Sequence, residues 1–165
     1  MLNLSRTIFD GLILSALAST FIVITMRLKP RIWLQDYPQD VQAQVPPKTE
    51  QEKRLSLVLG IPFLLLLIAV PLISTLMLEA RYPQTATFFA LAANAFGVAF
   101  VFNVVDWLIL DWLMFCTVTP RFVVIPGSEG AAGYKNYGYH FRGFLIGTVF
   151  SAASGLVIGL LVWLI

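Results

Sequence analysis

TFFALAANAFGVAFVFNVVDWLILDWLMFCTV, residues 87–118, contains no charged side chain except Asp106 and Asp111. As a helix its thirty-two residues would extend about 48 Å at 1.5 Å per residue, against roughly 30 Å of bilayer hydrocarbon. The run is therefore long enough to cross a membrane and too long for one perpendicular crossing. Either the helix tilts strongly, or it ends near Asp106 and the remainder lies at the interface, a depth that Trp107 and Trp112 favour. The choice sets the depth of the two carboxylates.

The rest of the chain agrees with lipid as the main solvent. Hydrophobic residues make up 58% and charged residues 12%, about half the charge of an ordinary soluble domain. Three further apolar segments reach crossing length, at residues 7–26, 55–78 and 143–165, beside 87–106. Unpaired backbone groups are costly in lipid, and no ten-residue alternation of a barrel recurs, so the expected fold is an all-α integral membrane bundle of four transmembrane helices in a single domain. An Ala16-Leu17-Ala18 triplet resembles a signal cleavage site, but the apolar run continues to Ile24 and the segment is expected to be retained.

Cations are unevenly placed. Arg27, Lys29, Arg31, Lys48, Lys53 and Arg54 flank the loop at 27–54, and Arg121, Lys135 and Arg142 lie in the loop at 119–142. Only Arg6 and Arg81 fall on the other side, so the positive-inside rule puts both termini outside and the two longer loops in the cytoplasm, most simply of a prokaryotic inner membrane. A net charge of +2 is too small to suggest a nucleic-acid partner.

The first loop is broken by Pro38, Pro46 and Pro47, which predicts extended chain at its start, with Trp33 and Tyr37 at headgroup level. Thr49 followed by Glu52 is a capping-box pattern and predicts that the second long helix begins a turn before the membrane. Pro62 and Pro71 lie within that helix, each removing one backbone hydrogen bond.

Along the last span Gly143, Gly147, Ser151, Gly155 and Gly159 recur every four residues on one helix face. Small residues allow the close van der Waals contact on which helix association in lipid depends. Helix one offers a shorter row, Gly11, Ser15 and Ser19. The groove fits another helix of this chain equally well as a second copy or a partner subunit.

Asn103 and Asp106 share a face of an α-helix, whereas Asp106 and Asp111 diverge by about 140°. Separate partners are expected for them, with Arg121, Lys135, His140 and Arg142 as candidates on the same side; a proton or cation path and a partner contact are the alternatives. Asn94 reads as interhelical glue, and Arg6 with Asp10 as an i, i+4 pair at the outer end.

In the second loop Phe122 to Ile125 is expected to be extended, and Pro126-Gly127 marks a turn. Tyr134, Lys135, Tyr137, His140 and Arg142 mix aromatics and cations at a helix entry, the pattern of interfacial anchoring or of contact with an anionic lipid headgroup. Spacing for a phosphate loop is missing, and one histidine and one cysteine supply no metal set, so no cofactor is expected. Nor does the chain show a serine, histidine and aspartate arrangement or a repeated half. The functional expectation is a non-enzymatic membrane protein that assembles through its small-residue face, as a homo-oligomer or a subunit of a larger membrane complex. A small channel or proton-linked transporter using Asp106 and Asp111 comes second, and a lipid-acting enzyme third.

Overall fold

The computed structural model describes residues 2–165. They are helical, with no strand among the described residues, in five α-helices: α1 (Leu4–Leu28), α2 (Gln39–Ala43), α3 (Glu50–Arg81), α4 (Phe88–Val105) and α5 (Tyr137–Trp163). A 13-residue π-helix, Asp106–Val118, continues α4 without a break. Short 3-10 turns cover Pro30–Asp36 and Ala132–Lys135. Four helices are long and apolar enough to cross a membrane: α1, α3, α4 with its π-helical extension, and α5.

Helix ends follow local chemistry. Asn3 accepts from Arg6 N at the start of α1 and Thr87 from Ala90 N at the start of α4. At α3 both capping-box bonds form, Glu52 N to Thr49 Oγ1 at 3.2 Å and Thr49 N to Glu52 Oε2 at 2.8 Å, so the helix begins at Glu50 as its sequence predicts. Pro62 and Pro71 are carried inside α3.

The small-residue stripe packs within the chain. A β-carbon at Gly159 would lie 2.6 Å from the Ala92 backbone of α4, and one at Gly155 would lie 2.9 Å from the Ala92 carbonyl oxygen. Farther along, Gly147 faces the Asn103 side chain, while Gly143 meets nothing within 4 Å. The row on α1 is partly used in the same way. Gly11 packs on Val101, Thr7 packs on Gly97, and the buried Ser15 hydroxyl turns back to Gly11 O. Ser19 Oγ has no hydrogen-bond partner among the described residues. Of the two readings of the stripe, contact between helices of one chain is therefore the one realised along most of its length, because Ala92 and Phe96 leave no room for side chains opposite.

Polar bonds tie the bundle at the end where α3 turns into α4. Asn94, 2% exposed, donates to Ser74 Oγ and Thr75 Oγ1 and accepts from Thr7 Oγ1. Ser74 passes the chain on to Asp10, which pairs with Arg6 at 2.9 Å. Three helices are thus joined by side-chain hydrogen bonds.

At the opposite end the two long loops fold on each other as a layer. Its core contains Met26, Leu34, Tyr37, Val41, Phe115, Val123, Ile125 and Tyr134. Pro30 opens a 3-10 turn and Pro38 precedes α2, so the start of the first loop is wound and not extended; a fixed φ near −65° suits the first turn of a helix as well as it suits extended chain. Phe122–Val124 is likewise a turn and bend instead of an extended segment, and Gly127, at φ +93°, completes the turn after Pro126. Tyr37 is 1% exposed, its hydroxyl donating to Val123 O at 2.8 Å, so it is a core residue of the loop layer and not a headgroup anchor. Arg31 closes the layer onto α3 through Glu52 at 2.6 Å and the carbonyls of Pro46 and Pro47.

Candidate functional site: a groove between α3 and α5

Where α3 and α5 approach the turn end they share a cluster, Leu78 with Ile158 and Val162. Toward the loop layer a groove of about 940 Å³ opens between them. Its walls are apolar, with Leu64, Leu67, Ile68 and Leu72 on α3 and Phe150, Val157 and Leu161 on α5. Gly143, Gly147 and Ser151, the free end of the stripe, also line it. At the loop end the lining changes character to Gln35, Asp36, Tyr37, Asp106, Asp111, Tyr139, His140 and Arg142. The groove is therefore apolar over most of its length and polar at one end.

The two aspartates reach this end together because of the π-helix. With bonds from i to i+5, residues five apart stand one turn above the other. Asp106 and Asp111 are five apart, so the divergence expected of an α-helix does not arise. Trp107 and Trp112, also five apart, meet in the same way, edge to face with ring centroids 4.8 Å apart. The sequence held the signal: DWLIL followed by DWLMF, residues 106–115, is a five-residue repeat, which matches π winding and not the 3.6-residue period of an α-helix. Wider turns also put more residues into each unit of length, which answers the excess length of the 87–118 run without ending the helix at Asp106.

The π-helix is closed at its C-terminus by two residues. Thr119 takes the left-handed conformation, φ 46°, and its N–H bonds to Met114 O. Lys135 Nζ donates to Cys116 O at 2.7 Å, to Thr117 O at 3.1 Å and to Thr119 Oγ1 at 2.7 Å. Lys135→Met is expected to lower the melting temperature by about 2–4 °C, the equivalent of roughly 1 kcal/mol at this chain length. Circular dichroism melts of the detergent-solubilised protein would read it, and an unchanged midpoint would show that the cap adds nothing.

Asp111 Oδ1 lies 2.9 Å from His140 Nδ1, and His140 is only 6% exposed. An ionised carboxylate only accepts, so Nδ1 carries the hydrogen, and in the neutral ring Nε2 presents a lone pair. Nε2 is buried and has no hydrogen-bond partner among the described residues, and the same holds for Trp107 Nε1. Asp106 forms no side-chain hydrogen bond or ion pair with another described residue. Beside them, desolvation by its surroundings raises the Asp36 carboxyl above the ordinary range; Lys48 opposes this and the negative charge of Asp111 adds to it. Lys48 itself bonds to Ile32 O, Gln35 Oε1 and Ser56 Oγ.

The other residues singled out in the sequence are distributed differently. Asn103 bridges α4 to α5 through Phe144 O and Thr148 Oγ1 and lines the groove. Arg121 forms no ion pair with either aspartate, and Arg142 is exposed on the groove lining. Tyr134 is buried in the loop layer, its hydroxyl accepting from Ile125 N and sharing a hydrogen bond with Ser128 Oγ, and Tyr137 packs edge-on against Trp112. Of the five aromatic and cationic residues grouped at the helix entry, only His140 and Arg142 reach the groove. Among the described residues no group of three or more His, Cys, Asp or Glu side chains is arranged to hold a metal ion.

Known protein families, curated proteins and solved structures contain no match to this chain.

Proposed function

We propose that the chain is an integral membrane protein that holds one amphiphilic molecule in the groove between α3 and α5, tail along the apolar walls and headgroup at Asp106, Asp111 and His140. The observation that carries this reading is the change of lining along a single cavity of about 940 Å³. Small-molecule sites are concave, mostly apolar and fixed by a few converging polar groups, and this cavity has that composition. A channel through the same helices is less well supported, since Leu78, Ile158 and Val162 pack together between α3 and α5 at the turn end. Assembly through the small-residue face is less well supported too, because α4 of the same chain covers Gly155 and Gly159.

The orientation proposed with it follows the cations: termini outside, loop layer and headgroup end facing the cytoplasm of a prokaryotic inner membrane. In a Cys116→Ala background, Gln84→Cys should react with an impermeant maleimide added to intact cells and Gln44→Cys should not; the reverse pattern would invert the topology. Both positions are exposed.

Native mass spectrometry of protein released from mild detergent tests the groove itself. A lipid-sized adduct is expected at up to one per chain. It should disappear in Ile68→Trp/Val157→Trp, which fills both walls, and persist in Leu28→Trp on the exposed end of α1. Protein free of adduct, or adducts equal in all three, would overturn the reading.

A further inference from the structure

The polar end of the groove is rich in acceptors, beside one buried donor, Trp107 Nε1, that has no partner among the described residues. Among the described residues Asp106 has no donor, Asp111 accepts from His140, and His140 Nε2, buried and without a partner, has a lone pair free. A ligand that satisfies Asp106 and Nε2 together must bring hydrogen-bond donors. Charge narrows it further. Asp36, Asp106 and Asp111 line one end; Lys48 offsets Asp36, and the cation on the lining itself, Arg142, is exposed, which leaves Asp106 without a paired charge among the described residues. Lys135, expected from the sequence to offset these charges, is engaged as the cap of the π-helix. A carboxylate held among apolar groups without a countercharge is costly, and a cation supplied by the ligand removes that cost. Trp107, Phe115 and Tyr139 line the same end, and aromatic rings beside carboxylates are the surroundings in which ammonium groups are bound.

We propose that the groove selects an amphiphile bearing a protonated amine, the ammonium group resting on Asp106 and donating one N–H to His140 Nε2, with Asp111 holding the ring through Nδ1. This rests on the groove being an amphiphile site and adds the class of headgroup. The same chemistry is offered by an aminophospholipid and by a free long-chain amine. Asp106 is the binding residue; Asp111, acting through the ring, is a positioning residue.

The test uses the full-length protein in non-ionic maltoside micelles, with binding followed by native mass spectrometry. Dodecylamine and dodecanol share a tail and differ in the headgroup, and lysophosphatidylethanolamine and lysophosphatidylglycerol supply the lipid comparison. Dodecylamine is expected to bind at least tenfold more tightly than dodecanol, since its two charge-assisted hydrogen bonds, to Asp106 and to His140 Nε2, together exceed their neutral counterparts by more than the 1.4 kcal/mol that tenfold represents. In Asp106→Asn that preference should fall to within about twofold, with dodecanol affinity unchanged. In Asp111→Asn it should fall partway, and Asp111→Glu should recover it, which loss of packing alone would not produce. Preference for the ethanolamine lipid over the glycerol lipid identifies a membrane lipid as the ligand; preference among the single-chain compounds alone identifies a free amine. Equal binding of amine and alcohol overturns the ammonium proposal and leaves the amphiphile site standing. Binding of neither overturns both. Should Asp106→Asn fail to fold, Asp36→Asn, in the loop layer, must still lower the amine preference at least threefold, and an unchanged preference there overturns the proposal.

Discussion

Gly159→Leu is expected to lower the melting temperature by about 10 °C, while Gly143→Leu, the same substitution four turns away on the same face, moves it by no more than about 1 °C. At Gly159 the first added carbon would sit 2.6 Å from both the amide nitrogen and Cα of Ala92, and backbone in the middle of a helix cannot step aside. Overpacking of a core costs about 1–3 kcal/mol, and the upper end is expected here because α4 and α5 must separate. At Gly143 a β-carbon meets nothing within 4 Å. The contrast removes composition and helix propensity from the comparison, leaving only the neighbouring helix. Thermal melts followed by size-exclusion in detergent read both variants. Similar losses at the two sites would mean that α4 does not cover the stripe, and a change of particle mass in Gly159→Leu alone would point to a second chain there.

The second large effect is expected at Asn94. Leucine in its place would leave Thr75 Oγ1 and Ser74 Oγ without their donor and Thr7 Oγ1 without its acceptor, all in a buried setting. Interhelical hydrogen bonds in membranes contribute on average about 0.6 kcal/mol each, and stranding their partners adds to this, so a loss of about 2 kcal/mol is expected. The three partners should not weigh equally. Thr75 also donates to Pro71 O within its own helix, and Thr7 to Asn3 O, whereas Ser74 is the only hydroxyl that joins Asn94 to Asp10. A double-mutant cycle of Asn94→Leu with Ser74→Ala should therefore show more coupling than one with Thr75→Val. Additive losses at Ser74 would show that the link between Asn94 and Asp10 contributes no stability.

These expectations draw on features that differ in how plainly the sequence displayed them. Four long apolar runs, the Thr49–Glu52 cap and the place of Asn94 were legible because each depends on residues close in sequence or on composition alone. The stripe from Gly143 to Gly159 was legible as a surface for close approach, but small residues state only that something comes near. Ala92 and Phe96 are themselves unremarkable in sequence, so their partnership with α5 was not. The loop layer was obscured by prolines that begin turns as readily as they end helices. Asp106 and Asp111 were the clearest candidates and the most misleading, since a 3.6-residue period set them on different faces and only the five-residue repeat brings them to one. His140 stood among both the headgroup contacts and the four candidate partners of the aspartates, and the fold selects it for Asp111 where the sequence offered no means to choose among the four.

The winding of residues 106–118 has one more implication, for change in the gene itself. In most helices a single-codon deletion rotates everything downstream through about 100°, and a soluble loop absorbs the error. Here the stretch carries two like-facing acids one coil apart and ends on a locked lysine latch. Dropping any one codon between the two aspartates would wind that coil back to the common screw and leave both acids still aligned. Dropping one after Asp111 would spare the pair but pull the latch out of reach. Tolerance to length should therefore differ across thirteen neighbouring codons for reasons of pitch and not of chemistry.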